Sequence, residues 1–220
     1  PENLKIGGMF RSRIEGINNQ FRPAPVASDD VLAAFRTNIF AEYDTGHKVK
    51  IGAELLDSRG YLEKPSSSAS TTEVNALELG QAYLKFDLSD ATGDGSMSSL
   101  TTGRFIRDIG SRRLVARNDF RNTINAFTGA IFDWQGTNKD QMTLLWAMPH
   151  TRLPNDMAGI LDNAIVIDRE NLDLQFFGST YTFANVLGGS LEVYGYGLYE
   201  QDSGTGLRAV QTRNRRLFTP

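Results

Sequence analysis

The chain has 220 residues and a net charge of −3, with 40% hydrophobic and 22% charged residues, a balance that excludes a disordered tail and leaves enough apolar material for a core. Its 21 Gly, 13 Phe and 7 Tyr favour strands joined by polar loops, and the lack of cysteine excludes a disulfide framework, a zinc–thiolate cage and a thiol nucleophile. The excess of acids disfavours nucleic acid as a partner, and the longest charge-free run, 174–191, is interrupted by three glycines and many hydroxyl and amide groups, so no helix crosses a membrane, although a β-barrel remains open.

Leu4 to Gly16 alternates, with Leu4, Ile6, Phe10 and Ile14 on one face and Lys5, Arg11, Arg13 and Glu15 on the other. After a polar, proline-containing segment, a second strand over 32–44 sets Phe35, Ile39 and Tyr43 against Arg36, Asn38 and Glu42. Thr45-Gly46 is a hairpin turn. The return strand over 47–57 opposes Val49, Ile51 and Leu55 to Lys48, Lys50 and Glu54, and the polar stretch 58–73 reads as a mobile loop. A fourth strand over 74–88 changes phase between Leu77/Leu79 and Ala82/Leu84/Phe86, which predicts a bulge near Gly80. Gln81, Tyr83, Lys85 and Asp87 form its polar face.

A glycine-rich turn leads to a fifth strand over 99–106. The sixth, over 126–135, shares Phe132 and Trp134 on one face, and the seventh, over 141–148, lines up Met142, Leu144, Trp146 and Met148. A long loop over 149–170 precedes an eighth strand over 171–183. The ninth spans 190–200, and RRLFTP looks like the start of a tenth.

The connections alternate long and short, as in up-and-down outer-membrane barrels, where turns are short on one side and loops long on the other. In such a barrel the face bearing Arg13, Arg36, Lys48, Lys50 and Lys85 points into a wet lumen, because a charge facing lipid is costly. The fifth and sixth strands also enclose a cationic segment: between 104 and 121 stand six arginines (104, 107, 112, 113, 117 and 121) and only Asp108 and Asp119, a net of +4 in an acidic chain. The planar fork of arginine suits carboxylate or phosphate.

This segment, GRFIRDIGSRRLVARNDFRNTINAFTG over 103–129, resembles the central signature of the alginate export family of bacterial outer-membrane barrels at Gly103-Arg104, Gly110, Arg113-Leu114-Val115, Asn122, Phe127 and Gly129. The upstream QAYLKFD (81–87) and the RRLFT ending at Thr219 are similar to that family too. The sequence departs from it at Phe105, where many relatives have Gln, and at Thr128, where many have Asp. The resemblance implies an all-β, antiparallel up-and-down transmembrane barrel of about eighteen strands. Nine legible strands over 1–220 would then be close to half of one incomplete barrel domain, an open curved sheet with two exposed edges.

It further implies passive movement of an anionic polysaccharide, an alginate-like uronate polymer, across the outer membrane, with outer-membrane lipid and periplasmic export components as partners and no cofactor. A polymer needs a track of weak cationic contacts, since transport requires release as well as capture. The candidates for that track are Arg13, Arg36, Lys48, Lys50, Lys85, Arg104, Arg113 and Arg121, with Glu15, Glu42, Glu54 and Asp87 on the same face as pairwise neutralisers. Arg104 shares parity with Leu100 and reaches the lumen only if Gly103 kinks the strand.

Asn122 and Asp119 read as residues that fix the loop's own backbone, and Trp134 and Trp146 as interface or packing aromatics. Two other functions fit the strand count: a general small-solute porin of the same fold, and a soluble β-sandwich that binds carbohydrate. In a sandwich the apolar faces of the first and seventh strands would meet a second sheet. An enzyme is disfavoured, because His47 and His150 belong to no metal-spaced cluster and no nucleophile elbow or phosphate-cradling loop is present.

Overall fold

The computed structural model describes residues 2–202 and 214–219. Ten strands form one antiparallel sheet in strict sequence order: β1 (Leu4–Ile17), β2 (Asp30–Asp44), β3 (Val49–Tyr61), β4 (Asn75–Asp87), β5 (Met97–Phe105), β6 (Phe127–Gln135), β7 (Gln141–Pro149), β8 (Leu174–Val186), β9 (Gly189–Glu200) and β10 (Arg216–Thr219). One short helix, α1 (Met157–Leu161), sits in the β7–β8 connection. The first and last strands each pair on one side only among the described residues, so the sheet is open.

Period-two side-chain alternation gives the sheet two faces of opposite character. One outer row can be followed across every strand through the register: Leu4, Tyr43, Ile51, Leu84, Thr102, Ala130, Trp146, Phe177, Gly197 and Phe218. It contains no charge. The flanking positions are also apolar and uncovered: Ile6, Phe10 and Ile14 of β1 are 66–77% exposed, and Leu144 and Trp146 of β7 about two-fifths exposed. The described residues form one sheet with no second sheet on this face, an open up-and-down sheet consistent with part of a barrel. A face of this kind suits hydrocarbon, where one Lys or Arg at mid-depth costs about 2–4 kcal/mol.

Register follows from the same alternation, because a one-residue slip would turn the arginines of β1 and β2 outward. The phase change in β4 is real: Glu54 pairs with Gln81 but Leu55 with Leu79, which leaves Gly80 as the extra residue, and a second shift follows between Leu56 and Ser58. On the inner face the Tyr83 ring lies over Gly52, where any side chain would collide with it, and its hydroxyl donates to Glu42 at 2.7 Å. That contact ties three strands together.

All long connections leave from one end of the sheet and all short turns from the other. Two expected boundaries move. The third strand runs on to Tyr61, and the polar stretch after it is packed rather than loose: Ser67, Ala69 and Val74 are buried, with Ile160 of α1 against the last two. The eighth strand begins at Leu174, because Asn171 and Asp173 close a turn before it. The connection from β9 to β10 lies mostly outside the described residues.

Candidate functional site

The site is built on the β5–β6 connection, residues 106–126, which folds across the inner face of the sheet instead of extending from its end. Two kinds of contact hold it. Ile109 and Val115 enter an apolar cluster with Phe105, Phe127, Ile131, Leu145, Ala147 and Tyr196 of β5–β9, and Val115 is 1% exposed. An internal bond from the Ile109 amide to the Val115 carbonyl closes this part into a compact lobe. Seven residues beyond Val115, Asn122 is fully buried, as is Thr123. The Asn122 amide nitrogen donates to the carbonyls of Phe35, Arg59 and Glu73 at 2.8–3.3 Å, and its own carbonyl accepts from Ser58 Oγ at 2.7 Å. Asn122 therefore fixes the backbone of β2, β3 and residue 73 to the loop, and the Asp119 carboxylate meets Arg36 and Arg117, where the sequence suggested that both would fix the loop's own backbone.

Between these anchors the chain makes an exposed bight. Phe120 is 84% exposed, and Asn118 adopts a left-handed conformation at φ 64°. Three guanidinium groups from β1 and β2 converge on three successive carbonyls of the bight. Arg11 donates to the carbonyls of Asp119, at 2.6 Å, and of Arg121; Arg13 donates to that of Phe120 at 2.6 Å; Arg36 donates to that of Arg121 at 3.2 Å. Arg13 also lies 5.5 Å over the Phe120 ring.

Arg11 and Arg36 stand directly opposite each other in the register, an arrangement that repels unless acceptors sit between them. The acids nearby are shared. Asp119 meets Arg36 at 3.3 Å and Arg117 at 2.9 Å, Arg117 also reaches Glu54 at 3.4 Å, and Glu15 pairs with Arg13. Arg36 is 98% buried at its side chain, yet its Nε has no hydrogen-bond partner among the described residues.

On the short-turn side of the loop lies an open cavity of about 760 Å³ with mixed walls: Lys50, Lys85 and Arg107 against Asp87, Asp133 and Glu192. Arg107 holds Asp133 at 2.6 Å. Lys50 and Lys85 are cross-strand neighbours; Lys50 approaches Asp44 at 3.5 Å, while Lys85 has no ion pair or hydrogen bond among the described residues. The inner face is therefore not uniformly cationic.

Of the eight sequence candidates, Arg13 and Arg36 join the bight, Arg121 contributes its carbonyl to the same cluster, and Lys50 and Lys85 line the cavity. The other three lie elsewhere. Lys48 is in the β2–β3 turn at φ 62°, paired with Asp90, because the strand starts only at Val49. Arg113 is exposed on the loop with no partner among the described residues. Arg104 is turned by Gly103, whose φ is +116°, onto the buried Glu78 and towards Glu170 at 3.4 Å.

Around Arg104 the β7–β8 loop is pinned by buried polar groups. Glu78 accepts from the Asp168 amide at 2.7 Å, and the Asp168 carboxylate takes donors from Asn75 and Leu153. Burial, reinforced by the charge of Glu78, pushes the Asp168 carboxyl up to about 7. Burial and the nearby Arg104 push His150 down to about 3, so its ring is neutral, bonds Thr128 at 2.7 Å, and its 3.9 Å approach to Glu170 is no ion pair.

Among the described residues, Glu15 is the one neutralising acid whose carboxylate pairs with a sequence candidate, Arg13; Asp87 meets Lys48 through its backbone amide alone. Glu54 serves Arg117, Asn38 and Gln81, and Glu42 takes the Tyr83 hydroxyl. Sequence reasoning missed Arg11, Arg107 and Arg117. Arg11 shares the charged face of β1 with Arg13, which is the signal that would have found it. No group of acids, His or Cys suited to a metal occurs among the described residues.

No curated protein and no solved structure matches the chain. The profile described as alginate export matches residues 2–219, essentially the whole length. With its ten-stranded up-and-down sheet, its charge-free outer row and its inward arginines, the chain belongs to the alginate export family of outer-membrane transport barrels.

Proposed function

We propose that these residues form part of the wall of a single outer-membrane channel that passes an anionic, alginate-like polysaccharide without chemical change. The observation that carries this reading is the opposition of the two faces. The outer row can be followed across ten strands without a charge, while the inner face gathers Arg11, Arg13, Arg36 and Arg117 around one exposed bight. Membership of the family supports export as the direction. The usual asymmetry of such barrels, with long loops outside and short turns on the periplasmic side, supports an extracellular position for the long connections, 106–126 included.

Arginine suits the task, because a uronate carboxylate can accept two parallel N–H bonds from one guanidinium and then pass to the next. Full-length protein in planar bilayers tests the proposal: polymannuronate or polyguluronate should block the current, and a neutral glucan of equal length should not. Channels that ignore all three polymers would refute the polysaccharide reading.

A second reading has one observation in its favour. The acids Asp87, Asp133 and Glu192 in the cavity beside Lys50 and Lys85 resemble the mixed lining expected of a general small-solute porin. The same recording decides between the two, since that porin conducts without uronate block.

A further inference from the structure

We infer that the bight over 117–121 is an internal stand-in for the polymer, seated on the Arg11–Arg13–Arg36 cluster and displaced by an incoming chain of carboxylates. The inference rests on the channel reading above and adds how its arginines are kept when no polymer is present.

The acceptors are of the wrong strength for their donors. Three guanidinium groups receive neutral carbonyl oxygens from residues 119, 120 and 121. The Asp119 carboxylate is shared between Arg36 and Arg117 and is itself largely exposed. A guanidinium–carbonyl bond carries charge on one side only, whereas a carboxylate brings the opposite charge and can accept two parallel N–H bonds from one guanidinium, so a uronate carboxylate outcompetes a peptide carbonyl at the same guanidinium. Arg36 Nε, buried and without a hydrogen-bond partner among the described residues, keeps one donor in hand for it.

The mounting of the bight allows displacement without unfolding the loop. Val115 on one side and Asn122 on the other are fully buried; the Val115 side chain is held by apolar contacts alone, and Asn122 by the carbonyls of Phe35, Arg59 and Glu73 at 2.8–3.3 Å, with Arg11 only at 3.5 Å from its side-chain oxygen. Between them, Phe120 touches the sheet through Arg13 and projects into the open space where a polymer would pass. The bight is a turn, closed by the Arg121 amide on the Asn118 carbonyl at 3.2 Å, and it presents three successive carbonyls to the three arginines as a polyuronate presents successive carboxylates.

The test places a nitroxide on Phe120→Cys in full-length protein; these 220 residues contain no other cysteine. Added oligouronate should shift the spectrum from a restrained to a mobile component, neutral oligoglucan of the same length should leave it unchanged, and Arg36→Gln should be mobile from the start. Independently, Phe120→Gly, which removes no charge, should bind oligouronate severalfold more tightly, because the bight competes less well. Uronate that blocks the current while the label stays restrained would overturn this inference and leave the channel reading intact. Failure to bind or block at all would overturn both.

Discussion

The two halves of the β5–β6 loop meet the same sheet through opposite chemistry. The lobe around Ile109 and Val115 meets the apolar inner wall of β5–β9, with Phe105, Ile131, Leu145 and Tyr196 beneath it. The bight around Asp119 and Phe120 meets the polar inner wall of β1–β4, where Arg11, Arg36, Ser58 and Asn75 lie in one cross-strand row. Apolar burial is non-directional and is lost only when the surfaces part. Guanidinium–carbonyl bonds can be exchanged for other acceptors one at a time. The difference teaches that this wall provides one region for holding and another for trading partners, with Asn122 as the fixed point between the bight and β6.

The comparison can be broken most severely at Asn122. Asn122→Ala strips the side-chain donor from three carbonyls and should destabilise the protein by about 2–3 kcal/mol in urea unfolding from detergent, since buried polar groups left unsatisfied are expensive. Val115→Ala should cost about 1–2 kcal/mol by the same assay, through the cavity it leaves, and should spare uronate block.

A pH effect is expected at the neighbouring loop. The Asp168 carboxyl titrates at about 7 when folded, above its usual value near 4 when unfolded. The folded state therefore holds a proton that the unfolded state has lost between those pH values, and its contribution to stability falls as pH rises through that window and is flat above it. Asp168→Asn should remove that slope, read as the difference between the two unfolding profiles from pH 4 to 8. Smallest in stability is Lys85→Glu, a change on an exposed cavity wall expected to cost under about 0.5 kcal/mol. It should nevertheless shift the reversal potential in a salt gradient towards cation selectivity.

Much of the architecture was legible because strands write their two faces at period two. The charge-free alternation of β1, β2 and β7 predicted the outer face, and the change of phase around Gly80 predicted the bulge that the register shows. Gly103 before Arg104 marked a further place where parity could fail, and there a glycine at positive φ lets Arg104 reach the buried Glu78.

What the sequence left hidden was where the arginine segment goes. Its partners Arg11 and Arg13 lie more than a hundred residues upstream, and no local pattern records a contact of that separation. Charge counting was likewise unable to tell Arg104, which sits on a buried glutamate, from Arg36, which faces a bight of neutral carbonyls. The polar stretch after β3 misled for the opposite reason: its serines and threonines satisfy one another and the backbone, so polarity there signals packing.

The most direct test of the division between holding and trading regions is uronate block of single channels in three proteins: wild type, Arg36→Gln and Val115→Ala. The account predicts that Arg36→Gln weakens block by about tenfold, the loss of one charge-assisted contact of about 1.4 kcal/mol, while Val115→Ala blocks as wild type despite its lower stability. Equal block in Arg36→Gln and wild type, or loss of block in Val115→Ala alone, would contradict it.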